Sequence, residues 1–300
     1  MSVCLSLVER NVKMFFKDKG LFFTSLVTPL ILLVLYATFL SNVYRESFLA
    51  GLPEGVNLSD DLVGGLVGGQ LFSSLLAVCP ITVAFCSNML MVQDKISGAT
   101  RDMLVTPLKQ STLAFSYFLA TFISTLIISV VAVIACFIYL AFTGWYFSVG
   151  AIFLILLDVV LLTLFGTALS SFVNQFLTSQ GQVSAVGTIV SSCYGFICGA
   201  YMPLASFSSG LQTALSFLPF SYATALLRNH CMGGVFNEMV SVGVPNTVVD
   251  GLMGSVDCKI SFCGQEVSQF VMYVVIGLSI ALFLGLFVYF SARAKRATKK

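Results

Sequence analysis

Apolar residues run almost unbroken through residues 21–40, 62–92, 113–142, 149–172, 183–201 and 267–290, and polar residues collect in the gaps between them. A helix needs about 20 apolar residues to cross the hydrocarbon core of a bilayer, so each run predicts one span. A further run, 211–227, is shorter, carries Pro219 and follows Pro203. That length fits a re-entrant or interfacial segment better than a crossing. Ahead of the first span, Leu5, Val8, Val12, Phe15 and Phe16 fall on one helical face, with Arg10, Lys13 and Lys17 on another. The pattern predicts an amphipathic helix over residues 1–20 lying in the membrane interface, although an ordinary span flank gives a similar pattern.

Composition agrees with the pattern. The 300 residues are 58% hydrophobic and include 28 Phe, with a mean hydropathy of +0.98, more apolar surface than a water-soluble core can use. The expected fold class is an all-α integral membrane protein with six transmembrane helices. The first span is too long for a signal-peptide core and has no small-residue cleavage site after it, so it is expected to remain as an anchor.

Charge then orients the spans. Twelve of the fifteen Lys and Arg residues lie in the N-terminal segment, the segment after span two, or the tail, where Arg293, Lys295, Arg296, Lys299 and Lys300 gather. The opposite side holds Arg45, Arg228 and Lys259 against eight of the thirteen carboxylates. The positive-inside rule places both termini and residues 93–110 in the cytoplasm, and the loop 41–61 and residues 202–266 outside. If 211–227 crossed, the basic tail would be carried outward.

Several local features follow from this layout. The sequon at Asn57 is read as chance. Small residues recur every fourth position at Gly187, Ser191, Gly195 and Gly199, and again at Gly64, Gly65, Gly68 and Gly69. Such ridges admit close helix packing, within one bundle, at a subunit interface or along a pathway. Residues 231–266 are polar enough for a small external cap, in which Cys258 and Cys263 could close a short disulfide loop or remain free thiols. The other cysteines, Cys231 apart, read as small core residues.

Candidate chemistry is sparse. The single histidine, His230, excludes an H-E-x-x-H motif and any multi-histidine metal site, and reads as a surface group at a segment end. No G-x-x-x-x-G-K-[ST] loop occurs, so a nucleotide-hydrolysing module is expected on another polypeptide. Asp158 sits inside the fourth span, where a carboxylate costs about 2.5–3.5 kcal/mol unless it faces protein or water. It is a pathway residue or a bundle-facing carboxyl bonded to a neighbouring hydroxyl. One acid is too few for a proton relay, and no paired groups for hydrolytic catalysis are evident.

What remains is the charged interruption MVQDKISGATRDMLVTPL. Gly98 gives a sharp turn, Ser97 can cap a short helix running towards Thr106, and Pro107 stops it. Lys95, Arg101 and Asp102, with apolar Met103, Leu104 and Val105, suit docking into a groove on a cytoplasmic protein. A solvated loop serving topology alone would need no Gly, Pro or apolar run.

At these residues the chain resembles a known family. QDKISGATRDMLVTPLKQSTLAFSYF is similar to the coupling segment of type 2 ABC exporter permeases: Asp94 stands at the family's acidic position, and Gly98, Leu104, Thr106 and Pro107 match. Ala99 replaces the usual Thr, and Arg101 and Asp102 make the turn more charged. TPLILLVLYATFL and GAYMPLASFSSGLQTALSFLPFSYATALLR extend the resemblance over nearly the whole chain, the latter resembling an external helical hairpin. The resemblance implies a single permease domain over residues 1–300, with no catalytic site, metal or cofactor of its own. ATP and magnesium would be held by a partner ATPase docked through 93–110 and the N-terminal helix. It also implies a second permease subunit, identical or related, a pathway lined by the fifth span, and an amphiphilic cargo such as a drug, antibiotic, lipid or glycan. The expected setting is the plasma membrane of a bacterium, with no nucleic-acid partner. An ATPase-independent secondary transporter or channel is the alternative, and would want inverted repeats and more buried ionisable groups. An integral-membrane enzyme would want a catalytic constellation.

Overall fold

The structure, a computed structural model, describes residues 3–50, 58–262 and 265–297. Twelve α-helices follow one another in the described residues: α1 Val3–Lys17, α2 Lys19–Leu35, α3 Ser41–Ala50, α4 Asp60–Ile96, α5 Ala99–Val105, α6 Gln110–Thr143, α7 Val149–Asn174, α8 Gln180–Ile197, α9 Ser209–Ser216, α10 Pro219–Ser241, α11 Asn246–Ser255 and α12 Gln269–Ala297. A two-residue antiparallel pair, β1 Ser261–Phe262 and β2 Gln265–Glu266, is the only sheet among them.

The molecule is built around α4. Its first turn carries Asp60 and Asp61, which complement the helix dipole, and the Ser59 hydroxyl caps it by accepting from Leu62 N. It is apolar on all sides, as a helix surrounded by others should be, and it packs against α2, α6, α7, α8 and α10. Its glycines are the points of closest approach. A Cβ on Gly64 would strike the Thr143 carbonyl, one on Gly68 the Leu140 side chain, and one on Gly69 the Met232 side chain and the Cys231 carbonyl. That ridge therefore serves packing within this chain.

Among the described residues, five helical segments are long and apolar enough to cross a membrane: 19–50, α4, α6, α7 and the 269–292 part of α12. The protein is a multi-pass membrane protein. The expected fifth span, 183–201, corresponds to α8, which is 18 residues long and rich in Gly, Ser and Gln, so it falls below the apolar content of the other five. It ends at Ile197 with Cys198 as C-cap, and Gly199 follows at a φ of +76°, the left-handed conformation glycine adopts without strain.

Two expectations are corrected. The loop assigned to 41–61 is helical as far as Ala50, joined to α2 through a π-helical turn at Tyr36–Leu40. No Gly or Pro breaks this stretch, and Tyr44 stacks between Tyr36 and Phe48 with centroids 5.8 and 6.1 Å away, burying Phe48. Residues 51–57, including the Asn57 sequon, lie outside the described residues. The polar cap assigned to 231–266 begins later than expected. The helix that Pro219 starts continues to Ser241, because Cys231, Met232, Val235, Phe236 and Met239 are buried as it packs on α4, α7 and α12. Cys231 is therefore a core residue; α11 and the β pair follow it.

Gly234 in α10 provides a packing test. A Cβ there would collide with the Tyr146 carbonyl, whereas a Cβ on neighbouring Gly233 meets nothing within 4 Å. Gly234→Ala is expected to lower stability by about 1–3 kcal/mol. Gly233→Ala is expected to be neutral or to stabilise by up to about 1 kcal/mol, through the higher helix propensity of Ala. Thermal unfolding of the detergent-purified chain separates the two.

Candidate functional site

At the end of the bundle where α4 stops, the chain reverses through Gly98 at φ +86°, with open space around its Cα, so backbone conformation rather than crowding requires glycine there. Gly98 is the N-cap of α5 and makes no side-chain cap bond. The Ser97 hydroxyl instead donates back to the Asp94 carbonyl at 3.4 Å, correcting the expectation that Ser97 caps the short helix. Thr106 is extended, as a residue before proline must be, and Pro107 ends α5.

The helix buries none of its seven residues. Arg101 and Asp102 are exposed, Leu104 is partly so, and Val105 is 88% exposed. Met103 turns inward onto the cluster of Leu90, Met91, Leu113 and Tyr117, and so anchors α5 to α4 and α6.

Asp94 and Lys95 also turn inward. Asp94 is buried, and its carboxylate accepts from Arg10 Nη1 at 2.8 Å, Arg10 Nη2 at 3.2 Å and Tyr117 Oη at 2.5 Å. The bidentate pair fastens α1 to α4, and hydrogen bonding to Asp94 raises the Arg10 guanidinium above its ordinary pKa. Lys95 Nζ donates to the carbonyls of Asn174 and Gln175 at 3.4 and 2.8 Å, crossing to the end of α7. Of the polar groups expected at the surface of this segment, Arg101 and Asp102 remain there. On α1, Val8, Asn11 and Phe15 are buried, Lys13 pairs with Glu9 at 2.6 Å, and Lys17 is exposed. Leu5, placed on the apolar face, is 50% exposed.

A cavity of about 1390 Å³ lies between α2, α3 and α8, floored by Cys86, Met89 and Gln93 of α4. Gly187 and Ser191 line it, with a Cβ on Gly187 set to strike the Met89 methyl. Gly195 and Gly199 do not continue that wall. Gly195 makes room for the Tyr201 ring just beyond the helix end, and Gly199 is the terminating residue. The ridge thus divides into a cavity-lining half and a helix-ending half.

Asp158 does not line this cavity. It is buried where α7, α10 and α12 meet, with Tyr273 Oη donating to Oδ1 at 2.7 Å and His230 Nδ1 2.6 Å from Oδ2. It is a bundle-facing carboxyl bonded to a neighbouring hydroxyl, with an imidazole in addition. His230 is corrected from a surface group to a buried one, because α10 lies inside the bundle and turns the ring onto Asp158.

A second buried polar cluster escaped sequence reasoning. Arg228, fully buried, donates from Nη1 to Asp257 Oδ2 at 2.8 Å and from Nη2 to the Gly199 carbonyl at 2.5 Å. Asp257 also accepts from the backbone N–H groups of Leu204 and Ala205, at 2.5 and 3.0 Å. An Arg inside the apolar run ATALLRNHCM was the available signal, since a cation there needs a buried anion. The sequence did not say which acid supplied it. Cys258 beside this cluster is buried, and the choice between a disulfide to Cys263 and free thiols lies outside the described residues.

The family model described as ABC-2 type transporter matches residues 2–230 of this chain. No curated protein matches it.

Proposed function

The chain belongs to the ABC-2 type transporter family, and from that premise we propose that it is the six-span permease subunit of an ATP-driven exporter. In this reading α8 is the fifth span, α1 lies in the inner interface, and α9 with the start of α10 dips in from outside. Both termini and α5 are cytoplasmic, in a bacterial plasma membrane. A cytoplasmic ABC ATPase binds α5, and a second permease subunit, identical or related, faces α2 and α8. The α2–α8 cavity, with an apolar wall broken by Ser and Thr, suits an amphiphilic cargo.

The observation that carries the reading is α5 itself. A seven-residue helix held at the bundle end by Met103 offers Arg101, Asp102 and an almost fully exposed Val105 to the outside. An apolar residue so exposed beside two charges is what a docking helix presents. The chain purified alone is expected to hydrolyse no ATP. Co-expressed with its ATPase, it should co-purify with it and export substrate on ATP addition. Export driven by an ion gradient, with no ATPase present, would sink the proposal. That second reading has one observation in its favour, the buried Asp158–His230–Tyr273 cluster, but those residues stand apart from the cavity.

A further inference from the structure

A smaller cavity of about 440 Å³ opens at the α5 end of the bundle, between the ends of α4, α7 and α12 and the starts of α5 and α6. Its size lies within the roughly 300–1,000 Å³ of ligand pockets. Phe176, Phe287 and Phe290 form its apolar wall; Phe176 and Phe290 are 49% and 37% exposed, so the wall continues onto the outer surface. The two rings meet edge to face at 5.2 Å.

Lys95 supplies the charge on this wall. Its ammonium has three N–H donors, of which the Asn174 and Gln175 carbonyls engage two. Among the described residues no carboxylate pairs with it, although Asp94 is its chain neighbour; Arg10 and Tyr117 engage that acid. The Thr100 hydroxyl, also on the wall, is buried without a hydrogen-bond partner among the described residues. A half-buried cation and an idle hydroxyl beside phenyl rings define a site for an anionic head with an apolar body.

We propose that this cavity binds an anionic glycerophospholipid from the adjacent leaflet, with its phosphate on Lys95 and Thr100 and acyl chains over Phe176, Phe287 and Phe290. The position favours a lipid over a soluble anion: four helices that cross the membrane begin or end here, which sets the cavity at headgroup depth. The sequence adds Arg293, Lys295 and Arg296 directly after Ser291, a basic cluster of the kind that concentrates anionic lipids. A zwitterionic head would bring its own cation towards Lys95. The site is independent of whether α5 docks an ATPase, although Thr100 puts the lipid in contact with that helix.

Native mass spectrometry of the detergent-purified full chain, with phosphatidylglycerol or phosphatidylcholine added, tests the proposal. Phosphatidylglycerol is expected to bind at least about tenfold more tightly, the scale of one charge-assisted hydrogen bond. Lys95→Gln should remove that preference. Ser291→Phe, which fills the cavity and leaves Lys95 in place, should weaken binding about as much, with an unchanged melting temperature certifying the fold. Glycerol phosphate at equal concentration should not displace the lipid. Equal binding of the two lipids, retention by both variants, or displacement by glycerol phosphate would each overturn it.

Discussion

Asp257→Ala is expected to be the most destabilising single change in the protein, at about 3–5 kcal/mol. Arg228 is fully buried, and its Nε–H finds no acceptor among the described residues, so the guanidinium depends on Asp257 and the Gly199 carbonyl. Removing the carboxylate strands a charge in the core and orphans the N–H groups of Leu204 and Ala205. Asp257 also sits at φ +55°, where Asn is tolerated and Ala is strained. Asp257→Asn keeps the backbone conformation and one acceptor oxygen while losing the charge and the second acceptor, so its cost is expected to be smaller, about 1–3 kcal/mol. Thermal unfolding of the purified chain measures both. A loss below about 1 kcal/mol for Asp257→Ala would show that the pair is not desolvated. The cluster also fixes the turn Tyr201–Ser206 against the large cavity, whose lining includes Tyr201, Pro203, Ala205 and Ser206, so the Ala variant should lose export as well.

The second large effect concerns α5. Replacing Arg101 and Asp102 together by Ala is expected to weaken ATPase binding about 30-fold or more, the scale of losing hot-spot contacts. Val105→Asp should do the same by placing a charge in the apolar contact. Because α5 buries no residue, all these changes should leave chain stability within about 0.5 kcal/mol. Lost co-purification with an unchanged melting temperature isolates docking from folding. Unimpaired ATP-driven export by the double variant would refute the role assigned to α5. Asp94→Ala would not serve as the test, since it frees Arg10 and Tyr117 and loosens α1 as well.

Which residues of the interruption could face a partner was only half legible. Gly98 and Pro107 marked the ends of α5 correctly, because a left-handed turn and a pre-proline extension are local backbone demands. The inward turn of Asp94 and Lys95 was not legible, since their partners are remote: Arg10 lies 84 residues before Asp94, and Gln175 lies 80 after Lys95. The same holds for Asp158, left open between pathway and bundle, whose partners His230 and Tyr273 stand 72 and 115 residues away. His230 itself was misjudged because an apolar run interrupted by Arg, Asn and His reads as a segment end. In the fold those polar groups face Asp257, Cys258 and Asp158 inside the bundle.

The sequence alone determined that the chain crosses a membrane, where most of its spans run, and that a short charged helix interrupts α4 and α6. Those facts follow from hydrocarbon thickness and local backbone preference, which act on neighbouring residues. Only the tertiary structure decided how each helix is rotated about its axis. In a chain apolar on most faces, no amphipathic stripe records that rotation, so buried polar groups become readable only once Arg228 has met Asp257, Arg10 has met Asp94, and Lys95 has reached the carbonyls of Asn174 and Gln175.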